Sequence, residues 1–341
     1  MITENNRGDI LKVVITDTEE PMDRDLDFEK KLIRNQLGIN TKIVTYVYHG
    51  NREELIDVIH DADGILTSYL NFDAELLEKC SHLKTISIEA TGYNNINLQV
   101  ATNLNIGVSV IQEYCTEEVS DFVVFSMMAM NKQLKYFINQ SDVKKLYTFK
   151  IGKSIRRLSD STLGIMGLGK IGCEVARKAA AFGIKVITYS TPRAQKRVEK
   201  LGIKMVDKQT LFKESDFIAL TMRLTKDNIH ILNEKAFEQM LKKPIIVNIA
   251  RGQMIDEKAL IKALNQGKVR GAVLDVLTDE SPHGLQNNPL IGRDDVIITP
   301  HIAFYSDQSL EDCQRIATEN LINYLSGNYK KMFRLVNTEV L

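Results

Sequence analysis

The chain has 341 residues, 44% of them hydrophobic and 26% charged, with 44 basic against 44 acidic side chains. That length predicts two domains, and the balanced charge gives no electrostatic ground for nucleic acid or an anionic membrane as partner. No apolar run reaches the roughly 18 residues that span a bilayer, the polar start carries no secretory segment, and Cys80, Cys115, Cys173 and Cys313 form neither a C-x-x-C pair nor a disulfide framework. A reducing cytoplasm and no metal site are the expectation.

Residues 1–9 read as a mobile polar start. A strand is expected at 10–16, a helix at 27–36 stopped by Gly38, and a second strand at 42–46. A helix at 51–60 opens at Asn51, a strand follows at 64–67, and Asp73 caps a helix at 73–80. A strand at 83–88, a helix at 97–103 and a short strand at 107–109 complete an alternation that indicates a parallel sheet with helices on both faces. The longest helical pattern runs over 117–140 with Thr116 as its cap, and Val123, Val124, Phe125, Met127, Met128 and Met130 make it apolar over more than one face. Such a helix is buried, between domains or against a second subunit. Further strands are expected at 162–166, 184–189, 203–206, 216–221, 244–249, 271–276 and 296–299. Helices are expected at 171–182, 208–214, 233–241 and 256–266, with a last one at 307–325 that ends at Gly327.

The stretch Thr162-Leu163-Gly164-Ile165-Met166-Gly167-Leu168-Gly169-Lys170-Ile171-Gly172 joins an apolar strand to a helix through G-x-G-x-x-G. Gly167 allows the tight turn, Gly169 lets backbone approach a pyrophosphate, and Gly172 lets helix and strand pack closely. The N–H groups that open the helix, around Lys170 and Ile171, then face the phosphates. Glycine-rich strand-to-helix turns also occur with nothing bound. The surrounding strand, helix and strand within about thirty residues support a dinucleotide site.

In open α/β sheets, ligands bind beyond the carboxyl ends of the strands. Arg251, Asp275 and His301 each follow an expected strand, and Glu280 lies five residues past Asp275. Histidine suits proton transfer near neutral pH, and a carboxylate on its other ring nitrogen fixes the tautomer and favours the imidazolium. A guanidinium grips a carboxylate by two hydrogen bonds. Each residue alone has a plainer reading: a loop histidine, a turn arginine, a capping aspartate. Order and context favour the catalytic set, whereas His49, His60, His82, His230 and His283 read as surface or loop residues.

These pieces resemble the D-isomer-specific 2-hydroxyacid dehydrogenase family over nearly the whole chain, in its glycerate and phosphoglycerate dehydrogenase-like part and near the C-terminal-binding-protein branch. Carrying the resemblance are the turn from Gly167 to Gly172, Asn248-Ile249-Ala250-Arg251-Gly252, Leu274-Asp275-Val276 with Glu280, and Thr299-Pro300-His301-Ile302. Thr91-Gly92-Tyr93-Asn94-Asn95-Ile96-Asn97 and Tyr114-Cys115-Thr116-Glu117-Glu118-Val119 add to it. The resemblance implies an α/β protein of two open parallel sheets, each with helices on both faces. It implies a Rossmann nucleotide domain (113–303) inserted into a flavodoxin-like substrate domain (1–112 with 304–341), with a cleft that closes on ligand. It implies Arg251, Glu280 and His301 as the catalytic set, with Arg251 orienting the substrate and Thr91 and Gly92 holding its carboxylate. The cofactor would touch Gly167, Gly169, Lys170, Ile171, Gly172, Ser190, Thr191, Arg193, Thr221, Thr225, Ala250, Asp275 and His301, with Asp275 beside the nicotinamide ring. It further implies a homodimer, joined largely through the nucleotide domains and their long helix, acting on a small 2-oxo or 2-hydroxy acid.

Two departures stand out. No acidic residue lies between Glu174 and Glu199, where many members place an aspartate on the adenosine ribose. Ser190, Thr191, Arg193 and Lys196 or Arg197 then suit a 2′-phosphate, so NADP is favoured over NAD, with drift and retained NAD as the alternative. The second is Glu280-Ser281-Pro282 where the family usually has Glu-Pro. Arg223 also stands where many members have proline, within reach of a cofactor phosphate. The expected activity is NAD(P)-dependent interconversion of a 2-oxo acid and a D-2-hydroxy acid. Its rivals are a cofactor-sensing dimeric scaffold of the C-terminal-binding-protein type and a dehydrogenase for formate or phosphite.

Overall fold

The computed structural model describes residues 10–341, so the polar start at 1–9 lies outside the described residues. The chain forms two compact units, one running up to Tyr114 and resuming at Ser306–Leu341, the other Cys115–Tyr305.

In the first unit, β1 (Lys12–Asp17), β2 (Lys42–Val47), β3 (Gly64–Thr67), β4 (Thr85–Ile88) and β5 (Gly107–Val110) form one sheet in the order β2-β1-β3-β4-β5. All neighbours are parallel. The apolar runs of β1, β3, β4 and β5 are buried throughout, as strands covered on both faces must be. Asn51, Asp73 and Asn97 each accept backbone N–H groups at the start of the helix they precede, meeting donors that a helix cannot satisfy itself. The C-terminal helix Asp307–Leu325 returns to this sheet. Its Ile316, Leu321 and Ile322 pack with Val13, Ile15 and Leu66. Gly107 is required there, because a Cβ at that position would lie 2.1 Å from the Tyr324 ring.

The second unit holds β6 (Thr162–Met166), β7 (Lys185–Tyr189), β8 (Lys204–Met205), β9 (Phe217–Leu220), β10 (Ile245–Asn248), β11 (Gly271–Leu274) and β12 (Val296–Ile298). Their order is β12-β11-β10-β9-β6-β7-β8, again all parallel. Strand order reverses between β6 and β9, the switch point where such sheets bind ligands. One face packs around Phe212, Leu220, Phe237 and Leu260, the other around Val123, Met127, Val175 and Val247.

The helix expected over 117–140 is two helices, Thr116–Asn131 and Leu134–Asp142. Gln133 between them has φ 55, a left-handed conformation that a helix interior does not tolerate. Its side-chain amide clasps Lys153, donating to the carbonyl at 2.8 Å and accepting from the N–H at 2.9 Å. Thr116 is the first helical residue and not the cap; Cys115 precedes it without a side-chain cap bond. The short helices Glu19–Met22, Gln195–Leu201 and Pro282–Gln286 carry too few turns to show a period.

Gly107→Ala should cost about 1–3 kcal/mol by overpacking Tyr324, read from the denaturant midpoint, and adding Tyr324→Leu should recover much of that loss. An unchanged midpoint would contradict the packing of the C-terminal helix on β5.

Candidate active site

The switch point is built from three glycines with different reasons. Gly167 has φ +101, and a Cβ on it would meet Met222 at 2.6 Å. A Cβ on Gly172 would lie 2.3 Å from the Gly167 carbonyl oxygen. Gly169 differs, since a Cβ there would meet nothing within 4 Å. The protein's own packing therefore does not require Gly169. Its bare backbone, at the start of the helix Lys170–Ala181 and with no side-chain cap, fits the close approach of a pyrophosphate to the backbone of a helix start. The helix carries Lys170, Ile171 and Gly172 in its first turn.

Neighbouring strands brace this turn. Gly167 donates to the Tyr189 carbonyl at 2.9 Å, and the Thr221 hydroxyl donates to the Gly167 carbonyl at 2.6 Å. The Ser190 hydroxyl accepts from Leu168 N–H at 3.1 Å, which ties the end of β7 to the glycine loop. Thr191 leads into the turn Pro192–Ala194, and Thr191, Arg193, Lys196 and Arg197 are exposed. Among the described residues none of these three cations makes an ion pair. Thr225 caps the turn Lys226–Asn228, and Arg223 is exposed beside it.

Three adjacent strands place the other candidates. Asn248, Leu274 and Ile298 share one row across β10, β11 and β12. Arg251 and His301 each lie three residues beyond that row, two strand spacings apart, or about 10 Å between strand axes. Asp275 immediately follows the middle strand. Its side chain is buried and both oxygens are used within the protein. Oδ1 accepts from the Thr299 hydroxyl at 2.6 Å and from Ile302 N–H at 2.9 Å, while Oδ2 accepts from Ala303 N–H at 2.9 Å. The Asp275 carbonyl accepts from His301 N–H at 2.9 Å. Asp275, expected beside the nicotinamide ring, thus anchors the loop that carries His301.

His301 itself has φ 55, a conformation uncommon for a residue with a side chain. Its Nδ1 meets Glu280 Oε2 at 3.2 Å, and its ring stands edge-on to Phe304. The side chain is 46% exposed and Nε2 has no hydrogen-bond partner among the described residues. Glu280 is held through Oε1, which accepts from Leu277 N–H at 3.2 Å. Ser281, the departure noted in the sequence, caps the helix Pro282–Gln286 by accepting from Gly284 N–H at 3.1 Å. The carboxylate on the histidine survives that change.

Sequence reasoning left three supporting residues without a role. Asn248, fully buried, accepts from Ala250 N–H and donates to the Arg251 carbonyl, both at 3.0 Å, which shapes the turn presenting Arg251. A polar residue closing an apolar strand run was its signal. Gly252 lets the next loop cross, because a Cβ would lie 2.0 Å from Leu277 backbone. Glu257 accepts from Thr278 N–H at 2.7 Å and from Asn288 at 3.1 Å, bracing the loop that bears Glu280.

In the first unit, Thr91 and Gly92 follow β4. The neighbouring Asn95 side chain donates to the Ser68 and Leu70 carbonyls, which fixes the loop. The N–H groups of Thr91 and Gly92 have no acceptor among the described residues. The other five histidines are all exposed and lie outside these clusters.

The model of the D-isomer specific 2-hydroxyacid dehydrogenase NAD-binding domain matches residues 120–303. The chain belongs to the D-isomer-specific 2-hydroxyacid dehydrogenase family. It is 34% identical over 301 residues to a glyoxylate reductase of Thermococcus litoralis, spanning 85% of this chain and 88% of that protein. A glyoxylate reductase of Pyrococcus furiosus is 32% identical over 296 residues, spanning 85% and 87%. Among solved structures, the D-lactate dehydrogenase of Aquifex aeolicus complexed with NAD and lactic acid superposes with a TM-score of 0.81. It is 28% identical, covering 95% of this chain and 99% of that one. The family member is an NAD(P)-dependent oxidoreductase that interconverts 2-oxo acids and D-2-hydroxy acids. Its relatives are reductases and dehydrogenases, which does not favour the scaffold reading.

Gly169→Ala should leave stability within about 1 kcal/mol of the native value while weakening dinucleotide binding about tenfold or more. Gly172→Ala should destabilise the fold. Calorimetry and thermal melting distinguish the two, and native dinucleotide affinity in Gly169→Ala would contradict the pyrophosphate fit.

Proposed function

We propose that His301 is the acid/base of this dehydrogenase, Glu280 its orienting carboxylate and Arg251 the group that grips the substrate carboxylate. The observation that carries this reading is the Glu280 to His301 Nδ1 contact at 3.2 Å, which leaves Nε2 as the nitrogen that exchanges a proton with substrate. The bound nicotinamide would give or take the hydride at its C4. In the reducing direction His301 donates a proton from Nε2 to the carbonyl oxygen of the 2-oxo acid, and in the reverse direction it removes that proton from the hydroxyl. Arg251 fixes the carboxylate by two parallel bonds, a task that a lysine point charge performs poorly. In the first unit, Thr91 and Gly92 would offer their free N–H groups to a substrate carboxylate. Glyoxylate is the substrate we propose to test first, since the similar proteins of Thermococcus litoralis and Pyrococcus furiosus carry the name glyoxylate reductase. A cytoplasmic setting belongs to the same reading, supported by four free cysteines.

We further propose NADP as the preferred cofactor. A hydroxyl, Ser190, stands where a carboxylate would repel a 2′-phosphate, and Thr191 and exposed Arg193, Lys196 and Arg197 follow it. A homodimer is proposed as well. Phe125 is 62% exposed, Tyr147 100% and Phe149 83%, all on or just past the helices Thr116–Asn131 and Leu134–Asp142. Large aromatics left exposed on and after these helices are what a second subunit would cover.

His301→Ala should lower glyoxylate turnover roughly 10²–10⁴-fold with cofactor affinity retained; native turnover would remove His301 from the mechanism. Arg193→Gln should weaken NADPH binding about tenfold and leave NADH unchanged, as read by calorimetry. Equal effects on both cofactors would discard the 2′-phosphate reading. In sedimentation, Tyr147→Ser with Phe149→Ser should shift the protein toward monomer, and an unshifted dimer would place the interface elsewhere.

A further inference from the structure

The nucleotide sheet has a second concave surface at its opposite edge. A cavity of about 370 Å³ opens where β10, β11 and β12 begin, within the size range of small-molecule sites. Met130, Ile245, Leu264 and Val269 give it an apolar wall.

Its cations are unusual. Arg270 lines the cavity and makes no ion pair among the described residues. Its guanidinium instead donates to three neutral oxygens: the Lys243 carbonyl at 3.1 Å, Asn131 Oδ1 at 3.2 Å and the Asp216 carbonyl at 3.5 Å. The nearby carboxylate of Asp216 is already taken by Arg156 and Lys242. Burial, and then the charge of Arg156, pull the Arg270 pKa down to about 10. A guanidinium partly withdrawn from water and denied a counter-ion is a costly arrangement that an anion would relieve. It is also held in place by design of the backbone: Lys243 has φ 50, and its carbonyl accepts from Arg270 Nε.

Lys153 and Lys243 line the same cavity and are exposed. Two carboxylates oppose them. Asp295 is gripped by Arg293 through bonds of 2.8 and 2.9 Å, so only Asp294 remains unpaired among the described residues. Positive charge is in excess, beside an apolar wall.

We infer that this cavity is a second ligand site, distinct from the dinucleotide site, for a small organic anion that carries a phosphate or carboxylate on an apolar body. The anion would take the two guanidinium donors of Arg270 left over from the three backbone and amide contacts, with Lys153 and Lys243 closing over it. The apolar body would lie along Met130, Leu264 and Val269.

The test is calorimetry with phenyl phosphate on the full-length protein saturated with its tighter-binding dinucleotide, which keeps the cofactor site filled. One site per chain is expected, weakened about 10- to 100-fold by Arg270→Gln. Arg270 also braces Lys243 and Asn131, so the exposed pair Lys153→Gln with Lys243→Gln is the second variant, expected to weaken binding with the melting temperature unchanged. Inorganic phosphate should bind more weakly than phenyl phosphate. No binding to the native protein, or equal affinity in native protein and both variants, would overturn the inference. So would inorganic phosphate binding as tightly as phenyl phosphate, which would leave the apolar wall without a role.

Discussion

A single buried carboxylate holds the loop that carries His301 in its unusual shape. Asp275 sits at the end of β11, and its two oxygens take the Thr299 hydroxyl and the N–H groups of Ile302 and Ala303. Between those anchors His301 adopts φ 55, a conformation that costs of order 1 kcal/mol or more for a residue with a side chain. Three hydrogen bonds to the Asp275 side chain hold the loop against that strain. The arrangement turns the ring so that Nδ1 meets Glu280 and Nε2 stays open. The glycine turn and the His301 loop of the second unit are both held in shape by side-chain hydrogen bonds to backbone.

The same logic recurs along the sheet edge. Asn248 shapes the turn before Arg251, Thr221 clamps the carbonyl of Gly167, and Ser190 receives the N–H of Leu168. Parallel pairing then sets the spacing, because residues equally far beyond one row emerge at one edge. Arg251 and His301 are two such residues. The opposite edge, where the strands begin, carries its own cation cluster around Arg270, whose guanidinium makes no ion pair among the described residues.

Much of this was legible in the residues. Buried parallel strands are short apolar runs, and β6, β9, β10 and β11 each read as one. Capping residues such as Asn51 and Asp73 marked helix starts because short polar side chains satisfy orphan donors. The break at Gln133 was hidden, since both helices it separates carry apolar residues and only the tertiary clasp with Lys153 selects the left-handed turn. The anchoring by Asp275 was hidden too. A carboxylate after a strand serves a ligand or a loop equally well until the loop's N–H groups are placed. The roles of Gly252 and Glu257 were hidden for the same reason: their partners lie in a loop twenty or more residues further on.

The most direct test of this account is the rate of hydride transfer in Asp275→Asn, followed in a single turnover by loss of reduced-cofactor absorbance with glyoxylate. An amide would turn N–H groups toward the donors that the carboxylate now receives. The account predicts transfer slower by about 10²-fold, the usual consequence of misplacing a reacting group by about 1 Å, with dinucleotide affinity unchanged. A native rate in that variant would show that the His301 loop holds its shape without Asp275.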